Sequence, residues 1–444
     1  MTSTPSLACV VMAGGKGTRM HSQTPKLLHP LCGRPLLHWM LAAVAGLEPE
    51  RTVVVVPPDQ PELEQLLPPG AVTAVQSEAR GTGDAVASAL PALAGWDGDV
   101  LVVNGDHPLA DSATLGELVA AHRAAAAAAT VLTIERTGSI GGDFGRVVRD
   151  DAGAVERIVE VRDASPAERE LREVNSGYYV FAADALRDVL PRLSPANDQS
   201  ELYVTEAIGL LAEAGRPVAA HHHEDAAVAR GVNSRVDLAG AGAVLRARIN
   251  EAHMLAGVTI VDPASTHIDA GCELAADSVI EPFCVLRGDT RVAAGAVVGP
   301  HAVLVSATVG ERARVGPFCY LRPGTVLEPG SKAGTFVELK NAHIGEDSKV
   351  PHLSYLGDAE VGAGSNVGAG NITANFDGRS KHRTVIGRNV RTSCDTVFVA
   401  PVTLGDGSWT AAGSVITDDV PPDALAVARS RQRNVEGYGK RKRD

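Results

Sequence analysis

The chain has 444 residues, with 53 acidic against 41 basic side chains and a net charge of −12. That length accommodates two or three domains, and that charge argues against a broad nucleic-acid or anionic-membrane surface. Charged residues make up 21% and hydrophobic residues 45%, a globular balance, and no apolar run approaches the ~20 residues that span a bilayer. Residues 7–235 alternate apolar strand-like runs with helical patterns. Leu7–Met12, Val53–Val56, Val72–Val75 and Val100–Val103 read as strands, and Pro35–Leu47, Glu62–Leu67, Gly83–Leu93 and Leu115–Ala128 as helices. Such alternation predicts a mostly parallel sheet covered on both faces. Ligands of these sheets bind beyond the carboxyl ends of the strands, so chemistry is expected just after Met12 and Val103.

Ala13-Gly14-Gly15-Lys16-Gly17-Thr18-Arg19-Met20 follows the first strand. Glycines let backbone N–H groups approach phosphate oxygens, which Lys16 or Arg19 would neutralise. The segment lacks the GxxxxGK[ST] pattern, and Met20 stands where a dinucleotide fingerprint needs a third glycine. A purely structural turn is the rival reading. Lys26 adds a second cation, while Gln76 and Gly81-Thr82-Gly83 follow the third strand and offer amide groups to a base edge. Asp106, after the fourth strand, suits Mg²⁺ or, as an alternative, a turn cap.

Residues 237–257 predict a helical arm with Leu238, Val244, Leu245, Ile249 and Leu255 on one face, stopped at Gly257. The period then changes. Leu274, Ile280, Leu286, Val292, Val298 and Leu304 stand six residues apart, and the run resumes after five-residue steps at Val309 and Ile344. One aliphatic per six residues, followed by small turn residues, predicts a parallel β-helix with the aliphatics stacked inside. Few aromatics, 4%, suit a narrow prism. Asn371–Arg383 breaks the period and is expected to protrude as a loop. The predicted divisions are 1–236, 237–257 and 258–444. Polar and charged residues interrupt the repeat at Arg322, Lys340, His352, Tyr355, Asn366, Asn375 and Lys381. The three cations suit a phosphate, and His352 suits a general base.

Ala13–Met20, Pro25-Lys26, Gln76, Gly81–Gly83 and Gly105-Asp106 resemble the nucleotidyltransferase domain of sugar-phosphate uridylyltransferases. Phe144-Gly145-Arg146, Ile158-Val159-Glu160, Val174-Asn175-Ser176-Gly177 and Gly231-Val232-Asn233 continue the match. With the hexapeptide half, the chain resembles almost end to end a bacterial family. Its members are bifunctional N-acetylglucosamine-1-phosphate uridylyltransferases and glucosamine-1-phosphate N-acetyltransferases. The resemblance implies an α/β chain: a Rossmann-like nucleotidyltransferase domain followed by a left-handed parallel β-helix of hexapeptide repeats.

It also implies roles. Ala13, Gly14, Gln76, Gly81 and Thr82 would hold the uracil of UTP, Arg19 and Lys26 its phosphates, and Asp106 and Asn233 a Mg²⁺ ion. Gly145, Glu160 and Asn175 would hold the sugar. A sugar 1-phosphate oxygen, already ionised, would attack the α-phosphorus of UTP and release pyrophosphate without a general base. In the second half, Arg322, Lys340, Tyr355, Asn366 and Lys381 would bind glucosamine-1-phosphate. His352 would be the base, Asn375 would hold the acetyl group or the amine, and Cys394, Ala412 and Arg429 would contact acetyl-CoA. The implied enzyme is a cytoplasmic homotrimer, joined through the β-helix, that supplies UDP-N-acetylglucosamine for cell-wall precursors. No nucleic-acid or membrane partner is implied.

Five positions depart from the family pattern. Gly14 replaces an Ala, Asp143-Phe144 a Gly-Tyr pair, Phe376 a Tyr and Cys394 a Ser. Phe376 and Cys394 leave open an alternative, a uridylyltransferase only, or one for a different sugar 1-phosphate, with an altered or inactive acetyltransferase domain. A non-enzymatic scaffold is a third reading, opposed by the joint presence of Arg19, Lys26, Asp106, Asn233 and His352. The six cysteines include no CxxC pair, which fits a reducing compartment. His221-His222-His223 alternates faces in a strand and reads as solvated rather than metal-binding.

Overall fold

The computed structural model describes residues 6–15, 17–137 and 140–443. Two compact units, Met1–Leu245 and Arg246–Asp444, divide within the helix Arg235–Leu255. That helix meets Gly257 at φ +94°, a backbone conformation that stops it. Leu255, expected on its apolar face, is 84% exposed.

In the first unit, apolar runs build a sheet whose central strands are buried on both faces and whose edge strands are partly exposed. Its order is Val218–His222, Ala129–Glu135, Glu173–Ala182, Asp99–Asn104, Leu7–Met12, Arg51–Val56 and Val72–Val75. Leu7–Met12 pairs in parallel with strands on either side. Glu173–Ala182 runs antiparallel between its two neighbours, so the sheet is mixed. Side chains alternate between faces, and two separate cores follow. Cys9, Val11 and Val54 pack with the helices Leu36–Ala45 and Ser112–Ala125 on one face. Ala8, Val10 and Val53 pack with Thr82–Ala89 on the other. The predicted strands are present, with Arg51 and Asp99 extending two of them. The stretch 62–67 forms a 3₁₀ helix, Pro61–Leu66, and the helix expected to run to Leu93 becomes 3₁₀ from Leu90. Pro91 has no N–H to continue α-helical bonding.

The second unit is a left-handed parallel β-helix whose short strands stack in three parallel sheets. Successive partners such as Ile280, Val298 and Val315 lie one above another. The aliphatics expected inside lie in one continuous core from Val258 to Val420, with Leu274 partly buried against it. The predicted loop is shorter than expected. Asn371 is fully buried and its Nδ2 donates to Gly368 O at 2.7 Å and Ser393 O at 2.8 Å. Ile372–Ala374 remains a strand, so only residues 375–383 leave the prism. Thr373 occupies the inward position there, and its hydroxyl accepts from Gly357 N–H at 2.7 Å. A polar residue inside the stack hid the continuing repeat. Along one edge the rings of Phe283, His301, Phe318 and Phe336 stack at 4.7, 4.8 and 5.2 Å, and the three phenylalanines are about half exposed.

Candidate active sites

Three strands of the first unit end side by side, and the chain turns over the same edge after each. Ala13 N–H donates to Val55 O at 2.8 Å, Gln76 N–H to Val56 O at 2.9 Å, and Gly105 N–H to Met12 O at 2.9 Å. Over this edge opens a cavity of about 240 Å³, lined by Ala13, Gly14, Lys26, Gln76, Thr82 and Asp106 among others. It lies where a parallel sheet places its ligands.

At this site Lys26 Nζ lies 2.5 Å from Asp106 Oδ2 and 3.3 Å from Asn233 Oδ1. Two oxygens from distant parts of the chain thus converge on one cation. Burial pushes the Asp106 carboxyl up, but the Lys26 ammonium and His107 outweigh it and hold the group below its ordinary range. His107 is buried beside it, with Nε2 3.6 Å from Asp106 and the ring edge-on to Tyr178. Burial lowers the imidazole pKa. Asn233 N–H donates to Asp237 Oδ2 at 3.1 Å, which fixes the turn that carries it. Arg19 stands exposed on the short turn Thr18–Met20, outside the cavity lining. Lys16 lies outside the described residues.

The cavity wall holds Gln76, whose Nε2 donates to Gly81 O at 3.1 Å and Asp84 Oδ2 at 2.9 Å. Gly81 has φ +112°, and a Cβ there would meet Leu202 O at 2.5 Å, so glycine is required. A Cβ on Gly14 would meet Gln76 Oε1 at 2.5 Å. Thr82 Oγ1 accepts from Val204 N–H at 3.0 Å.

The three expected sugar residues stand together. Asn175 N–H donates to Gly145 O at 2.9 Å, and a Cβ on Gly145 would lie 3.4 Å from Glu160 Oε1. Glu160 accepts from Thr205 Oγ1 at 2.9 Å, and burial raises its pKa. Asn175 Nδ2 donates to Tyr179 Oη at 2.7 Å. Asn104, which lines the main cavity, donates to Gly177 O at 3.2 Å and ties the two regions together. Arg146, 2% exposed, donates to the carbonyls of Gly141, Gly142, Phe144 and Arg169. It shapes the turn that carries the Phe144 departure. Asp84, His107 and Thr205 had no signal of their own in the sequence. Their roles depend on which turns the sheet brings together.

In the β-helix the expected residues divide between two edges. Arg322 N–H donates to Leu339 O at 2.8 Å, and Lys340 is in register with Gly357. Arg322 and Lys340 therefore sit at one edge, one per coil. Asp358, at the same edge, accepts from Asn375 Nδ2 at 2.5 Å and Asn341 Nδ2 at 2.8 Å, with Lys340 Nζ 3.8 Å away. Burial raises the Asp358 pKa, but these amides and the Lys340 and Lys381 charges hold it low. A Cβ on Gly357 would collide with both the Tyr355 hydroxyl and the Asn375 amide, so these groups converge over its backbone. The Lys381 amine beside Lys340, with partial burial, lowers the Lys340 pKa. Arg322 pairs with Glu338 at 2.9 Å.

His352 ends the strand Lys349–His352 on the neighbouring sheet, and Asn366 bridges to Lys349 there. The three residues from His352 to Tyr355 turn a corner, so sequence proximity does not place the two side chains on one face. His352 is exposed. Its carbonyl accepts from Gly370 N–H at 3.4 Å, that of Ala369 from Asp395 N–H at 2.8 Å, and that of Cys394 from Gly413 N–H at 2.9 Å. His352, Ala369, Cys394 and Ala412 thus follow one another along this edge. Cys394 is exposed, while Cys9, Cys272, Cys284 and Cys319 are buried. Arg429 is exposed just after Ala428, which pairs with Val415.

Residues 9–207 match the family model of the MobA-like NTP transferase domain. Over 460 residues the chain is 48% identical to the bifunctional protein GlmU of Mycolicibacterium vanbaalenii, covering 98% of this chain and 93% of that one. It is 46% identical over 467 residues to the bifunctional protein GlmU of Mycobacterium bovis, covering 100% and 94%. It is 48% identical over 464 residues to the bifunctional protein GlmU of Streptomyces avermitilis, covering 100% and 96%. At that identity over essentially the whole chain, this protein belongs to the family of bifunctional GlmU proteins.

Proposed function

We propose that the chain makes UDP-N-acetylglucosamine in two steps, one in each unit. The β-helix transfers acetyl from acetyl-CoA to the amine of glucosamine-1-phosphate. The first unit then joins the resulting N-acetylglucosamine-1-phosphate to the uridylyl group of UTP and releases pyrophosphate. The observation that carries this reading is the Lys26 ammonium held between Asp106 and Asn233 at the sheet's ligand edge. Oxygens that share one cation under a Gly-rich loop suit a triphosphate and its counterion.

In uridylyl transfer, the backbone at Ala13 and Gly14 lies against the nucleotide. Gln76, Gly81 and Thr82 hold the uracil, and Arg19 and Lys26 neutralise phosphate charge. Asp106 and Asn233 fit Mg²⁺, since both offer hard oxygen donors that already converge on a cation. The ion, when bound, draws charge from the phosphates. Gly145, Glu160 and Asn175 present the sugar, a neutral ligand suited to hydrogen bonding. The attacking phosphate oxygen is ionised, so positioning and charge neutralisation carry the step.

In acetyl transfer, Arg322, Lys340 and Lys381 take the sugar phosphate, and their closeness in the free chain supports an anion there. Tyr355, Asn366 and Asn375 orient the sugar and its amine. His352 removes a proton from the amine as nitrogen attacks the acetyl carbonyl. The C–S bond then breaks, and the CoA thiolate takes a proton. Cys394, Ala412 and Arg429 line the acetyl-CoA path. The phosphate edge and the His352 edge being distinct in one chain supports a homotrimer whose neighbours complete each site. The half-exposed aromatic column is a matching surface for packing. The described residues hold no helix long and apolar enough to cross a membrane. Six free cysteines support a reducing, cytoplasmic setting.

The test supplies purified protein with glucosamine-1-phosphate, acetyl-CoA, UTP and Mg²⁺, and follows free CoA and pyrophosphate separately. Both should appear, and pyrophosphate should depend on acetyl-CoA. Pyrophosphate from N-acetylglucosamine-1-phosphate without CoA release from the amine substrate would leave uridylyl transfer alone.

A further inference from the structure

We infer that Asp84 sets the nucleobase selectivity of the first unit by locking the orientation of the Gln76 amide. The inference rests on the proposed placing of uracil against Gln76 and Gly81. Gln76 is 6% exposed and forms part of the cavity wall. An amide carries two donor protons and one acceptor oxygen, and a flip of its terminal torsion exchanges them. In this chain both protons are taken, by Asp84 Oδ2 at 2.9 Å and Gly81 O at 3.1 Å. A carboxylate and a carbonyl only accept, so a flipped amide would set oxygen against oxygen at both contacts.

The carboxylate is itself held. Arg80 Nη2 lies 2.7 Å from Asp84 Oδ1, the oxygen that Gln76 does not use. Asp84 also sits in the first turn of the helix Thr82–Ala89, where the helix dipole favours an anion. Gln76 Oε1 is thereby fixed as an acceptor over Gly14, where a Cβ would come within 2.5 Å. Gly14, which departs from the family pattern, makes the room for that oxygen. Beside it in the cavity lining, the Gly81 N–H makes no hydrogen bond among the described residues. An acceptor next to a donor matches the N3–H and O4 of uracil. Cytosine presents the reverse pair, an N3 acceptor beside an amino donor, and both contacts would oppose it. A site built on hydrogen bonding rejects the wrong base by leaving buried polar groups unpaired.

The experiment measures pyrophosphate release from UTP and from CTP, with N-acetylglucosamine-1-phosphate and Mg²⁺, in the wild type, Gln76→Ala and Asp84→Asn. Asn offers one oxygen where Asp offers two. If Arg80 keeps that oxygen, the Asn NH₂ turns to Gln76 and favours the flipped amide. The UTP-over-CTP ratio of kcat/KM should fall by about tenfold or more in Asp84→Asn, a loss of 1.4 kcal/mol of discrimination per factor of ten. A ratio unchanged from the wild type, or turnover lost in parallel for both nucleotides, would overturn the role of Asp84 and leave it a structural residue. If Gln76→Ala keeps the wild-type ratio, the base is not read at Gln76, and the proposed uracil placement fails with it.

Discussion

Asp106 meets its cation from 80 residues away in the chain, and Asn233 meets the same ammonium from 207. The pairing makes Asp106→Asn a sharp probe. It removes one charge from the cation site while keeping the shape, and it should lower uridylyl turnover by about a hundredfold or more at fixed Mg²⁺. Titrating Mg²⁺ in the variant should recover only part of the loss. Glu160 behaves differently. Burial raises its pKa, so its protonated form is the one the fold prefers. The sign follows: that stabilising effect is full below the unfolded-state pKa and is lost as pH rises through the raised folded value. Glu160→Gln does not titrate and keeps an acceptor for the Thr205 hydroxyl. Its melting temperature should therefore exceed that of the wild type by a margin that grows from pH 4 to pH 7. The same variant should raise the KM for N-acetylglucosamine-1-phosphate. A margin independent of pH would contradict the assignment. The sequence exposed Asp106 through its place after a strand, and Asn233 and Glu160 through the family resemblance. It did not expose Asp84, because a carboxylate in a helix's first turn gains its role only when the Gln76 strand end lies against it.

At the scale of elements, periodicity carried the prediction. Runs of Val, Ile and Leu locate the strands of the first unit, and the six-residue beat locates the inward positions of the β-helix. What escaped is where polarity and position conflict. Thr373 sits inside the stack without an apolar side chain, so the beat falls silent although the coil continues. Its hydroxyl accepts from the buried Gly357 N–H. Thr373→Val would restore the beat yet leave that N–H unpaired, and should cost the second unit about 1–3 kcal/mol in denaturant unfolding. Unchanged or increased stability would show that the hydroxyl contributes little. Corners were equally hidden. Spacing alone groups His352 with Tyr355, whereas a left-handed backbone turn at Leu353, φ +50°, sends them onto different sheets.

At the scale of the whole molecule, two compact units carry two chemistries, and the repeat supplies an edge of stacked, half-exposed rings. Phe318→Glu would place a charge in the middle of that column. Light scattering should then report a smaller particle than the wild type, with acetyl transfer falling while uridylyl transfer persists. An unchanged mass with full acetyl transfer would remove the column from assembly. The core of the proposal is that uridylyl and acetyl transfer use separable active sites, the second completed by neighbouring chains. It is tested most directly by assaying His352→Ala and Asp106→Asn side by side for CoA release from glucosamine-1-phosphate and pyrophosphate release from N-acetylglucosamine-1-phosphate. His352→Ala should lose the first and retain the second, and Asp106→Asn should do the reverse. Loss of both reactions in either variant, or of neither in His352→Ala, would contradict the account.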